Sequence, residues 1–171
     1  MDDDEILAVI PASAAHLQAL LRGDATFEHE FGLRVAAELI GFDGMLEHAL
    51  ATLEDGVEPR WSTHLFVHRV DHAVVGIGGF TGAPQQGAVE IGYSVAPGYR
   101  RAGLATAAAR RLVATAEQSG DVRLVVAHTL PAPGPSTAIL HRLGFVRVGD
   151  VVDPDEGPVW RWELELPRPD R

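Results

Sequence analysis

Two periods of apolar residues run through this chain, and the changes from one to the other mark its elements. From Val89 the alternation is strict: Val89, Ile91, Tyr93 and Val95 fall on one side and Glu90, Gly92 and Ser94 on the other, the pattern of a half-buried strand, which Pro97 ends. After a loop over Gly98–Ala102 the period lengthens. Leu104, Ala108, Leu112 and Ala116 recur at helical spacing until Gly120. Arg123–Thr129 predicts another strand, Pro131–Pro135 a proline-rich break, and Ser136–Leu143 a short helix stopped by Gly144. Phe145–Asp150 and Val159–Leu166 predict two closing strands, and the tail from Pro167 is polar.

Upstream, Glu5–Ile10 reads as a first strand halted by Pro11, and Ala12–Arg22 as a helix with Ser13 as its N-cap. The apolar positions Phe31, Val35, Leu39, Met45, Leu46, Ala49, Leu50 and Leu53 predict two helices within Phe27–Leu53, broken near Gly41–Gly44. Thr63–Val70 and Ala73–Phe80 are β-branched and aromatic runs joined at Asp71 and His72, a hairpin signal, and Thr81–Gly87 is a loop. The order is mixed α and β, with hairpins flanking a strand–helix–strand unit. At 171 residues, without repeats or a long linker, a single domain over 1–171 is expected.

Composition narrows the chemistry. With no cysteine, disulfides, thiolate metal sites and a Cys nucleophile are excluded, and with no lysine, so are a Schiff base and a P-loop lysine. The eight histidines match no zinc spacing, so no metal is expected. The longest apolar runs fall far short of a bilayer span, and Asp2–Glu5 is acidic where a secretory signal is basic, so a cytoplasmic protein without membrane contact is expected. Net charge is −10, and it is unevenly placed: residues 1–58 hold 13 acids against Arg22 and Arg34, while the remainder holds 11 acids against 12 arginines. That balance argues against nucleic-acid binding. The acidic surplus, with Glu28, Glu30, Asp43 and Glu47 flanking apolar helical faces, either concentrates a cationic ligand or only aids solubility.

Within this acidic chain, Ala96–Val126 carries five arginines against Glu117 and Asp121. A strand, a turn holding Arg100, Arg101 and Gly103, and a helix starting there place unpaired backbone N–H groups and the positive end of a helix dipole at one point. Such a turn binds anions, and glycine lets the backbone approach them.

Arg100–Ala105, reading RRAGLA, resembles the acyl-CoA pyrophosphate loop of the GCN5-related N-acetyltransferases (GNAT): Gln or Arg, two residues, Gly, one residue, then Gly or Ala. The preceding EIGYSV strand, the helix after it and the later STAILHRLGF segment extend the resemblance over Thr63–Leu166, and it is especially similar to the branch with ribosomal-protein N-terminal acetyltransferases. The resemblance implies an α/β acyl-CoA N-acyltransferase fold, a mixed, mostly antiparallel twisted sheet of about seven strands flanked by helices. It implies acetyl-CoA as cosubstrate, held by Tyr93, Ser94 and Val95 of the strand and by Arg100, Arg101, Ala102, Gly103, Leu104, Ala105 and Thr106 of the turn. The implied reaction is direct acetyl transfer to a primary amine of a small molecule or a peptide N-terminus, with a homodimer as an open assembly. Two other classes fit the same turn, a catalytically degenerate acyl-CoA-binding sensor and a nucleotide-binding module.

The resemblance places Glu90 at a catalytic Glu of histone-type relatives, a general base once partly buried; the structural alternative is a carboxylate paired with a neighbouring Arg. Many relatives carry an Asn where this chain has Pro133 and a Tyr general acid where it has Leu140, so the thiolate's proton must come from water, Ser136 or His141. His64, His68 and His128 are candidates to line the acceptor cleft. Tyr93 either packs in the core or acts through its hydroxyl, and Arg110 and Arg111 either decorate a solvated face or read the adenosine phosphate.

Overall fold

The computed structural model describes residues 2–40 and 43–168. Gly41 and Phe42, within the expected break between helices, and Pro169, Asp170 and Arg171 of the polar tail lie outside the described residues. In chain order the elements are α1 (Asp3–Ile6), β1 (Leu7–Pro11), α2 (Ala14–Arg22), α3 (Asp24–Phe31), β2 (Arg34–Val35), α4 (Met45–Glu54), β3 (Thr63–His68), β4 (Ala73–Phe80), β5 (Ala88–Val95), α5 (Leu104–Ser119), β6 (Leu124–Thr129), α6 (Pro135–Arg142), β7 (Val146–Asp153) and β8 (Gly157–Glu165). Eight strands form one sheet in the order β1-β3-β4-β5-β6-β8-β7, with the two-residue β2 pairing to β4 off that path. Only β5–β6 and β2–β4 are parallel.

Local signals account for most boundaries. The Ser13 hydroxyl accepts from the His16 amide at 3.1 Å while His16 Nδ1 accepts from the Ser13 amide at 3.0 Å, a reciprocal cap that starts α2. Leu104, Ala108, Leu112 and Ala116 are all buried, so α5 turns its predicted stripe onto the sheet.

The first strand begins at Leu7 and takes in Pro11, while Glu5 and Ile6, read as strand, end α1; a second expectation fails as well. Phe31, Val35 and Leu39 have helical spacing, yet α3 ends at Gly32, whose φ of 69° takes the left-handed conformation that closes a helix. The chain continues extended, and Arg34 and Val35 pair with Ala73 and Val74. Ala37 and Glu38 then form a turn, Glu38 at a φ of 58°, and the segment buries Leu39 without helical periodicity.

His64 is only 2% exposed on β3, and its Nδ1–H donates to the Ser62 carbonyl at 3.1 Å. Burial lowers its pKa below 6.5, opposed in part by that hydrogen bond. As pH falls through about 6.5 the unfolded chain takes up this proton first, so stability falls with pH, by at most about 1.4 kcal/mol per unit from this group. Thermal melts from pH 7.5 to 5 should show a steeper loss for the parent than for His64→Gln. Parallel curves would mean that His64 titrates alike in both states.

Candidate active site

β5 and β6 run together from Ala88↔Leu124 to Ile91↔Ala127 and then part. On its other side β5 stays paired to β4 as far as Val95↔Gly76. The Ala96 amide donates to Val75 at 2.8 Å and the Glu90 carbonyl accepts from Thr81 at 3.1 Å, so the even-numbered peptide groups of β5 face β4. Strand alternation therefore turns the N–H and C=O groups of Tyr93 and Val95 into the gap that β6 has left. Arg100 Nε already donates to the Val95 carbonyl there, at 3.2 Å.

The turn beyond β5 is built around two residues of positive φ, Arg101 at 65° and Gly103 at 77°. The first helical bond of α5 is Ala107 N–H to Gly103 C=O at 3.0 Å, so the amides of Leu104, Ala105 and Thr106 precede the ladder. No side chain caps them. A Cβ built on Gly103 meets nothing within 4 Å, so the space beside this backbone is open.

A cavity of about 590 Å³ lies against this turn, within the range of small-molecule sites. Its walls include Tyr93, Ser94 and Val95 of the strand, Arg100, Arg101 and Gly103 of the turn, Ala105 and Thr106 of α5, and Ser136 of α6. Of the other two expected binding residues, Ala102 is exposed and Leu104 is buried in the core, and neither lines the cavity. Arg142, at the last turn of α6, lines it too, so three arginines and no carboxylate side chain surround this space in a chain of net charge −10. Among the described residues none of the three is in an ion pair. Sequence reasoning missed Arg142. Its signal was the stripe Pro135, Ala138, Ile139 and Arg142, which faces the cavity while Thr137 and Leu140 face the core.

Tyr93 resolves between its two readings in an unexpected way. Its hydroxyl is buried without a hydrogen-bond partner, and burial pushes its pKa up to about 12. It is therefore a neutral phenol at working pH, a donor rather than a base.

The catalytic candidates separate. Ser136 is exposed in the cavity wall, but Glu90 does not line that cavity. Glu90 Oε1 accepts from His128 Nδ1–H at 2.7 Å, so the expected Arg partner is corrected to a histidine. Arg161, the nearest cation by register, is held instead by Glu163 at 3.0 Å. The three histidines proposed for an acceptor cleft are dispersed: His64 is in the core, His68 lies 3.7 Å from Asp71, and His128 is three strands away on β6. His141 packs edge-on against Trp162 at 4.9 Å. Arg110 and Arg111 pair with Asp3 at 2.9 Å and Asp4 at 2.6 Å, and Glu30 pairs with Arg22 at 3.3 Å, so part of the acidic surplus is spent within the fold. Among the described residues no three His, Asp or Glu side chains converge as a metal site would require, and no helix is long and apolar enough to cross a membrane.

A model of the acetyltransferase (GNAT) domain matches residues 7–146. Among solved structures, the chain is similar to yncA from Salmonella typhimurium, solved with its cofactor acetyl-CoA, at 19% identity over 97% of each chain and a TM-score of 0.64. It is also similar to the Salmonella typhimurium acetyltransferase that modifies the N-terminal serine of ribosomal protein L7/L12, at 15% identity, 97% and 98% coverage and a TM-score of 0.69. RimL, solved in complex with coenzyme A, shares 16% identity over 94% of each chain with a TM-score of 0.69. At these identities the likeness is one of fold. No curated protein sequence matches the chain.

Proposed function

The chain belongs to the acetyltransferase (GNAT) domain family, and from that premise we propose that its 590 Å³ cavity holds acetyl-CoA and that the protein passes the acetyl group directly to a primary amine. The observation that carries this reading is the opening between β5 and β6, where the peptide groups of Tyr93 and Val95 face a cavity walled by three arginines and by the start of α5.

The residues fit the group. An acyl-CoA has a diphosphate, an extended arm with two amides, and a thioester. The amides of Leu104, Ala105 and Thr106, with Arg101 and Arg142, form an anion site of helix-terminus type, and the open space beside Gly103 admits a phosphate. The Tyr93 peptide group and the Val95 N–H offer a strand edge to an amide-bearing chain, the Val95 carbonyl being taken by Arg100, the arrangement of β-augmentation. The orphaned Tyr93 hydroxyl gains a partner when a polar ligand fills the cavity.

Bound there, acetyl-CoA supplies an acyl group activated as a thioester. The chain's own residues then position and polarise. Arg100 is anchored on the Val95 carbonyl, and the Val95 N–H is a backbone donor within the opening for an oxyanion. Tyr93 stays protonated and donates. Leu140 is fully buried, so α6 offers no acid at that position, and Ser136 is the hydroxyl that α6 contributes to the wall, able to pass a proton to the departing thiolate. For the acceptor we favour a small-molecule or peptide α-amine, in keeping with the N-terminal acetylation carried out by the Salmonella relative.

Calorimetry with acetyl-CoA, followed by thiol release over a panel of α-amines and alkylamines, tests the proposal. Binding and release with at least one amine are expected. Binding without release for any amine would leave a sensor, and tight ATP binding without acetyl-CoA binding would leave a nucleotide module.

A further inference from the structure

An amine reacts only after losing a proton, and the cavity contains no group able to take it. An alkylammonium of pKa about 10.4 is free base in roughly 1 molecule in 2,500 at pH 7, and an α-amine near pKa 8 in about 1 in 10. The lining residues are arginines, hydroxyls including the phenols of Tyr93 and Tyr99, and apolar side chains. A side chain acting as base therefore lies elsewhere along the opening.

At the point where β5 and β6 part, Glu90 lies one residue before the last pair, Ile91↔Ala127, and His128 one residue after it on β6. Both side chains project from the same face. The position on β5 that would stand opposite His128 is Gly92, and a Cβ built there meets nothing within 4 Å, so the space beside the imidazole is open. The ring is fixed rather than loose, because Nδ1–H donates to Glu90 Oε1 at 2.7 Å. That bond sets the tautomer. In the neutral imidazole it leaves Nε2 as a lone-pair acceptor, and Nε2 has no partner among the described residues. Beside Glu90, a depression of about 320 Å³ lined by Glu90, Val126, Gln85 and Arg161 opens to solvent, and His128, bonded to Glu90, stands behind its wall and not in it.

We propose that His128 is the general base of this acetyltransferase and Glu90 its positioning residue, with the amine entering through the depression beside Glu90. The inference rests on the acetyl-transfer reading above. His128 Nε2 takes one proton from the acceptor ammonium. The freed nitrogen lone pair forms the C–N bond as the C–S bond breaks, the second N–H proton leaves on the thiol, and His128 releases its proton to solvent. The charged groups around the ring are Glu90 on β5, Arg161 and Glu163 on β8, and Asp153 at the end of β7.

Two measurements decide it. In the free protein, imidazole ¹⁵N spectra should show His128 as the Nδ1–H tautomer, shifting toward Nε2–H in Glu90→Ala; the same tautomer in both proteins would overturn the pairing. In the loaded enzyme, His128→Ala should bind acetyl-CoA as the parent does by calorimetry. Its kcat should fall about 100-fold at pH 7, fall less at pH 9.5, and recover at least tenfold with added imidazole. A loss independent of pH and unrescued by imidazole, or no loss, would refute His128 as base. Should His128→Ala fail to fold, the pH profile of Glu90→Gln carries the same comparison, an unchanged profile counting against the pair. Absent acetyl-CoA binding in the parent would defeat the acetyl-transfer reading instead, and the spectra would still report on the pair.

Discussion

Gly103→Glu should abolish measurable acetyl-CoA binding while leaving the protein folded. Gly103 is the N-cap of α5 at φ 77°, and its missing side chain leaves the anion site open: a Cβ there projects into free space, not into the core. The substituted carboxylate occupies that space and meets the diphosphate as a like charge. Each charge-assisted hydrogen bond lost is worth about 1.5–3 kcal/mol. Losing two of them is a fall in affinity of roughly 10² to 10⁴. The left-handed conformation adds a folding cost of about 1–2 kcal/mol for a residue with Cβ. Gly103→Asn separates the two effects, since Asn tolerates that conformation and carries no charge. Calorimetry should rank the affinities parent, Asn, then Glu. Equal affinity for Gly103→Glu in a protein with the parent's melting curve would move the diphosphate away from this turn.

How far the chain's pattern anticipates this site depends on the range of the contacts involved. The β5–turn–α5 unit was legible because each signal in it is local: alternation from Val89, the stop at Pro97, the glycine at 103 and the four-residue stripe from Leu104. The same holds for the Ser13 cap. By contrast β2 was illegible, since two residues carry no period and pair with Ala73 and Val74 only because β5 has vacated that edge of β4. Arg142 sits on a helix whose existence was clear, but its facing depends on how α6 docks, through Leu140 in the core and the edge-on contact of His141 with Trp162. The Glu90–His128 contact spans 38 positions and arises from a parallel pairing that no local pattern announces. The residues of the turn could thus be read in sequence, whereas the partner of Glu90 required the sheet.

The sheet geometry that opens the cavity also depends on an absent side chain, and Gly78→Ala should destabilise the protein more than a single methyl group ordinarily does. The Phe66 ring, fully buried on β3, lies across the glycines of β4. A Cβ on Gly78 would stand 2.8 Å from Phe66 Cζ and 2.7 Å from the Tyr93 Cα, and closer still to the Gly92 carbonyl oxygen. Two of these three neighbours are backbone, so relief requires β5 to move between Gly92 and Tyr93, where it parts from β6. Overpacking of this kind costs about 1–3 kcal/mol, a fall in Tm of roughly 2–12 °C for a chain of this size. The displaced strand also carries the peptide groups of Tyr93 and Val95, so acetyl-CoA affinity should fall in the same variant, measured below its Tm. Gly92→Ala is the control, because its Cβ meets nothing within 4 Å and the backbone there is not left-handed. It should melt close to the parent. A Gly78→Ala protein with parental Tm and affinity would show that β5 can shift without consequence, and the rigid opening between β5 and β6 would lose its role in holding the cosubstrate.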